Sequence, residues 1–334
     1  MRADCARTVG SRPGGLHMMY SFIARRLAMS VLIVFFVSVF AFSIMHILPG
    51  DPARLALGYE ASQEAVDELR RQLNLDRPVP VQYFLWIRNV FRGDLGNSIV
   101  YRRPINDILR ERMPRTMALG LPALALSSGV GISFGIVSAI KRGGWLDNAI
   151  TFLATVGAGT PVFWIGILSI YIFGLRLRIL PIHGYVAPTT DFVLFVRHAI
   201  LPVFCLAIGM IASVTRQTRN NMLEVINQDF IRTARANGLA EGSVIFRHAL
   251  RNSLIPVITI IALQVRLVIG GSIIVERIFN IAGVGQLLTA SISHRDYFIV
   301  QACVLFISLI TVLCNLIVDI LYGVIDPRIR QSKG

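Results

Sequence analysis

The sequence predicts an all-α polytopic membrane protein with six transmembrane helices, and three observations lead there. Of its 334 residues, 54% are hydrophobic and only 16% charged, with mean hydropathy +0.63, far from the balance of a soluble domain. The apolar residues are gathered into runs of roughly 20, each able to cross a ~30 Å hydrocarbon layer at ~1.5 Å per residue. The net charge of +14 lies in segments between those runs, which is the pattern of membrane topology and argues against a nucleic-acid partner.

Taken in order, residues 1–19 are rich in Arg and Gly without apolar periodicity and are predicted to be disordered, with Met18-Met19 a second possible start. Residues 20–48 hold the first span. Its apolar run, Leu27–Leu48, exceeds the ~7–15 residues of a signal-peptide core and no small-x-small site follows, so the span is retained. Residues 49–115 are predicted to be a helical extracytoplasmic segment that forms a lid or docking platform. Ser62 can cap a helix with Val66, Leu69 and Leu73 on one face; Pro80 can open another through Tyr83, Phe84, Ile87 and Phe91, stopped by Gly93; Pro104 can open a third that ends before Pro114.

Residues 116–323 make a five-helix core with spans at Thr116–Ile140, Ala149–Gly174, Ala199–Val214, Ser253–Val275 and Ile299–Gly323, followed by a tail at 324–334. Ser127, Gly131 and Gly135 recur at four-residue intervals where a neighbouring helix can approach closely. Gly270-Gly271 is expected to break the fifth span, and Gly157-Ala158-Gly159-Thr160-Pro161 to kink the third. The N-terminal tail, Lys141-Arg142, the loop 215–252 and the C-terminal tail together carry sixteen Lys and Arg; the short loops Leu175–His198 and Glu276–Phe298 carry five. Both termini are therefore expected in the cytoplasm.

The loop 215–252 holds six Arg against three acids, too basic for lipid. Asp229 can cap a helix with Ile231, Ala234 and Ala236 on its apolar stripe, Gly238 can supply a left-handed stop, and a second helix can run from Glu241 to Leu250. Helix, glycine bend and helix make a compact knob for another protein to grip.

At these residues the chain resembles the inner-membrane permease subunits of ABC importers, in the dipeptide/oligopeptide/nickel group. The segment Arg232-Thr233-Ala234-Arg235-Ala236-Asn237-Gly238-Leu239 with His248-Ala249-Leu250-Arg251-Asn252 carries the likeness. So do Leu48-Pro49-Gly50-Asp51-Pro52, Gly93-Asp94-Leu95-Gly96-Asn97-Ser98, Asn315-Leu316 with Asp319, and Asp326-Pro327-Arg328. The resemblance implies a bacterial inner-membrane subunit whose loop couples to an ATPase through Asp229, Arg232, Thr233, Ala234, Gly238, Leu239, His248 and Arg251. It further implies a second homologous permease, one or two ATPase subunits that bind ATP and Mg, and an extracytoplasmic solute-binding protein. The same group includes permeases for nickel, glutathione and glycosides.

No phosphate-binding Gly-x-x-x-x-Gly-Lys-Ser/Thr occurs, so the energy must come from a partner. A proton-coupled transporter should carry several carboxylates inside its spans, where only Asp319 qualifies. An intramembrane enzyme lacks a base for Ser272, and the cysteines show no metal spacing. Arg266 stands mid-span, where insertion costs roughly 2.5–3.5 kcal/mol, so it should face a wet cavity or a partner. Thr160, Gln264, Arg266 and Ser272 are the candidate lining of a substrate path. Asp319, with Asn315 one turn before it, reads as an interhelical pair.

Overall fold

The computed structural model describes residues 14–47, 50–58 and 60–325, all helix and loop apart from one isolated bridge between Asn97 and Pro104. Helix α1 (Gly14–Ile47) begins six residues before the expected boundary at 20, since Leu16 to Tyr20 continue a sequence with no helix breaker. Short helices α2 (Pro52–Leu57), α3 (Gln63–Gln72) and α4 (Val79–Phe91) follow. Ser62 Oγ accepts from the Ala65 amide to cap α3, and Gly93 turns the chain after α4 at φ +81°.

The third helix of this segment does not end at Pro114. Helix α5 (Ile105–Ile140) runs through Pro114 and Pro122, so the expected boundary between residues 115 and 116 falls inside one helix. Both rings sit on its exposed side, where water or a neighbour can take the carbonyl that proline leaves unpaired. Helices α6 (Trp145–Gly159) and α7 (Val162–Ser169, extended by a π turn at Ile170–Arg176) meet at a 103° bend, much sharper than a kink, because Pro161 and the extended Thr160 interrupt the ladder together. Helix α8 (Phe192–Ile226) overruns its predicted span at both ends, taking Arg216 and Arg219 out of the expected loop.

Beyond it, α9 (Asp229–Ala236) leads through Gly238 to α10 (Glu241–Ser243). A π turn at Val244–Ala249 joins α10 to α11 (Leu250–Ile278), so the second knob helix is no separate element. Helix α12 (Val284–Ser293) lies between α11 and α13 (Tyr297–Ile325). Gly270-Gly271 does not break α11: a Cβ on Gly271 would touch Leu206, which makes the site one of packing. Leu48-Pro49 and Asp326-Pro327-Arg328 lie outside the described residues, as do 1–13 and the tail from 326.

The core is α5, α8 and α11, with Leu119, Ala123, Leu201, Cys205, Val268 and Phe279 buried among them. Gly131 sits against Val214 and Gly135 against Thr218, where an added Cβ would stand 2.7 and 2.4 Å from its neighbour. Those pairs advance in the same direction along both chains, so α5 and α8 run parallel. Two parallel spans require an odd number of crossings between them. The bent pair α6–α7 must therefore carry the chain back across, and the described helices cross six times. Helix α1 packs antiparallel to α13: Arg26 Nη1 lies 2.7 Å from Asp319 Oδ2 at one end, while Phe42 and Met45 meet Tyr297 at the other. Asp319 is thus the interhelical pair its position suggested.

Candidate functional site

The knob stands at the end of the molecule where α5, α8 and α11 converge. Ile231 and Ala234, three residues apart on α9, are buried against Ala139 of α5, Met222 and Val225 of α8, and Val244 and Ala249 of the following turn. Ala236 is exposed, and the N-cap is Gln228, with Asp229 the first helical residue. Burying even two apolar side chains on so short a helix contributes on the order of 2–4 kcal/mol, enough to seat it where propensity alone would not. Gly238 takes φ +78°, and a Cβ there would meet nothing within 4 Å. Its role is conformational: only the left-handed backbone is at stake.

The outer surface of the knob has a different character. Phe230, Leu239 and Phe246 are 40%, 43% and 61% exposed, apolar groups turned to water beside the exposed Asp229, Arg232 and Thr233. Arg235 bridges the bend to Glu241, with Nη2 2.7 Å from Oε1 and Nε 3.1 Å from Oε2. Hydrogen bonding to that guanidinium holds the Glu241 carboxyl below the usual glutamate range. Arg251 is exposed and His248 half-buried, its carbonyl accepting from Asn252.

Behind the knob, Asp147 of α6 is held by three segments. Arg219 of α8 donates to both its oxygens at 2.8 and 2.9 Å, Ser138 of α5 donates to Oδ1, and the Gly143 amide to Oδ2 at 2.9 Å. The carboxylate is buried, so each donor replaces a water it would otherwise keep. These bonds tie α6 to α5 and α8 beside Ala139 and Met222, on which the knob rests.

The four candidate path residues do not meet. Thr160 caps α6 at the bend, on the wall of an apolar cavity of about 550 Å³ between α5, α6, α7 and α8. Ser272 is buried, donates to the Ile269 carbonyl and lines a separate cleft of about 90 Å³ between α5, α11 and α13. Gln264 is buried on the same side of α11, its Oε1 without a partner among the described residues. Arg266 points the other way and is exposed.

A buried constellation at the far end was not anticipated. Glu276 of α11 is fully buried; Thr116 of α5 donates to its Oε1 at 2.7 Å and the Gln286 amide to its Oε2 at 2.9 Å, while Thr116 Oγ1 accepts from the Val284 amide at 2.9 Å. The carboxyl and the Thr116 hydroxyl thus share the free amides of the first turn of α12. Gly283 and Gly285 make room for it: a Cβ on Gly283 would stand 2.4 Å from the carboxyl. A signal was present in the sequence, an acid at the end of an apolar span followed by Gly283 and Gly285. A second buried acid, Asp296, accepts from Ser98 Oγ at 2.5 Å and the Val100 amide at 3.1 Å, tying the Gly93–Ser98 segment to α13. Among the described residues no group of His, Cys, Asp or Glu is placed to hold a metal.

Residues 131–331 match the family described as the inner membrane component of binding-protein-dependent transport systems, and residues 19–120 match the N-terminal segment of such components. The chain is 40% identical over 315 residues to the oligopeptide transport system permease protein AppB of Bacillus subtilis, covering 93% of this chain and 100% of that one. It is 41% identical over 314 residues to the glutathione transport system permease protein GsiC of Pectobacterium atrosepticum, covering 94% and 100%. The dipeptide transport system permease protein DppB of Alkalihalophilus pseudofirmus is 37% identical over 332 residues, covering 93% and 100%. An inward-facing structure of the MetNI methionine ABC transporter shares the fold, with TM-score 0.53 and 14% identity over 66% of this chain and 96% of that one. A multi-pass helical core that ends in an exposed knob, matched along nearly its whole length, places the chain among the inner membrane components of binding-protein-dependent transport systems, the permease subunits of ABC importers.

Proposed function

We propose that this chain is the peptide-translocating subunit of an ATP-driven importer in the bacterial inner membrane, with both termini and the knob in the cytoplasm. The observation that carries the reading is the knob itself. Its base is buried on α5 and α8 while its outer surface offers Phe230, Leu239 and Phe246, an apolar cluster of the kind that fills a pocket on a partner. That partner is one of one or two ATPase subunits, which hold the ATP and Mg for which this chain has no phosphate loop. A homologous second permease completes the path, and a solute-binding protein delivers substrate to the opposite face. The relatives named for oligopeptides, dipeptides and glutathione share the amide-linked, carboxylate-ended substrate chemistry that this reading assigns.

Hydrolysis moves the knob, α8 carries the displacement to α6 through the Arg219–Asp147 pair, and the Thr160 bend converts it into a change in the path. The test is purification of the assembled complex with Phe230→Asp and Phe246→Asp together. The ATPase should no longer co-purify and ATP-driven peptide uptake in proteoliposomes should cease, while the permease still inserts. Uptake that persists without the ATPase, driven by a proton gradient, overturns the reading.

A further inference from the structure

Helix α11 carries polar residues on the side that the rest of the chain leaves uncovered, with Ile258, Leu267 and Ile274 exposed to either side of them. Asn252, Thr259 and Arg266 recur at seven-residue spacing and Arg277 follows three turns later, which places all four on one stripe. Asn252, Arg266 and Arg277 are exposed and Thr259 is half-buried. Gly270, on the same stripe, keeps the space beside Arg266 open, since a Cβ there would meet nothing within 4 Å. The opposite face, with Val257, Gln264, Val268 and Val275, is buried in the chain's own core.

No carboxyl group lies on this stripe; Glu276 faces the core and is committed to Thr116 and α12. Two other arginines near span ends find their counter-charge within the chain, Arg26 with Asp319 and Arg219 with Asp147. Neither the Arg266 nor the Arg277 side chain has an ion pair or hydrogen bond among the described residues. Among the described residues, then, neither guanidinium meets a counter-charge. A face that packs permanently on another helix in lipid is built from small and apolar residues, whereas an arginine at mid-span that meets no counter-charge belongs beside water.

We propose that this stripe lines the translocation path and that Arg266 is its mid-membrane anion-recognising residue, taking the carboxylate of a passing peptide. Arg277 lies about 16 Å along the axis toward the far side, so an entering carboxylate meets it first and Arg266 second. The guanidinium fork suits a carboxylate, and with the other cation of the stripe, Arg277, about 16 Å away, a single guanidinium holds it and can release it. This inference rests on the peptide-import reading above and adds its selectivity: substrates with a free carboxylate are favoured over the same peptides capped as amides.

The assembled complex in proteoliposomes, with its ATPase and binding protein, is assayed with a labelled tripeptide and with its C-terminal amide. Comparing the acid-to-amide rate ratio between wild type and Arg266→Gln cancels whatever discrimination the binding protein imposes. The ratio should fall about tenfold in Arg266→Gln, the scale of one charge-assisted contact, and recover in part in Arg266→Lys. An unchanged ratio, with both peptides transported, overturns the role of Arg266 while leaving peptide import intact. Failure of wild type to move either peptide sinks the import reading instead. Loss of the second permease from the purified Arg266→Gln complex overturns the proposal by assigning the residue to the subunit interface.

Discussion

At the knob, Arg235 and Glu241 face water across a glycine bend, whereas at the far end Glu276 gives its whole carboxyl to protein donors from α5 and α12. Both places join two helices through a turn that contains glycine. Glycine serves opposite purposes in them. Gly238 is needed for its backbone, with open space around it; Gly283 has an extended backbone and is needed for the space a Cβ would take from Glu276. The knob keeps apolar groups exposed and polar groups satisfied by solvent, which suits a surface that another protein will cover. The far end buries Glu276 together with the donors from α5 and α12 that satisfy it, which suits a joint that must hold its shape.

The comparison is broken most severely at the far end. Glu276→Leu leaves the Thr116 hydroxyl and the Gln286 amide without an acceptor in apolar surroundings, at about 1–3 kcal/mol for each. Thermal unfolding of the purified subunit in detergent should show a large loss of stability. A variant as stable as wild type would mean that water reaches this joint and that its burial is not what holds it.

Gly238→Val tests the knob with a smaller expected effect on the fold. A β-branched residue at φ +78° is strained by roughly 1–2 kcal/mol, and the strain can be relieved by moving α9 against its exposed surroundings. Stability should change little while ATPase co-purification and peptide uptake are lost. If unfolding shifts as far as in Glu276→Leu, the two ends are built alike and the contrast between them fails.

What was legible in the sequence divides along the same line. The spans, the close approach at Gly131 and Gly135, the Ser62 cap and the Gly238 bend depend on neighbours in sequence or on one helix face, and were read directly. Arg219 misled because a cation beside a span reads as the start of a loop; its partner Asp147 lies 72 residues away, and pairing lets α8 continue. Glu276 falls in the expected short loop Glu276–Phe298, because Thr116, 160 residues earlier, is what makes its burial at the end of α11 possible. Of the four path candidates, Arg266 alone could be placed from local logic, since its charge forbids the buried face that Gln264 and Ser272 occupy. Pro114 seemed to end a helix, but a proline on the exposed side of a helix packed elsewhere does not stop it.

The smallest effect is expected from acid acting on the knob. The Glu241 carboxyl is held below its ordinary value by hydrogen bonding to Arg235, so the folded pKa is the depressed one. The brace across the bend therefore contributes fully above the unfolded value of about 4.3 and is lost as pH falls through the lower folded value. At neutral pH nothing should change with pH, and Glu241→Gln should mimic acid. Because the pair stands in water, its removal should loosen the bend without releasing α9, whose hold is the burial of Ile231 and Ala234. Amide hydrogen exchange across residues 235–241 of the purified subunit should quicken by about twofold in Glu241→Gln, while the Ile231 amide keeps its protection. Loss of protection at Ile231 as well would show the knob to be one cooperative unit held by its ion pair, with the apolar base in a secondary role.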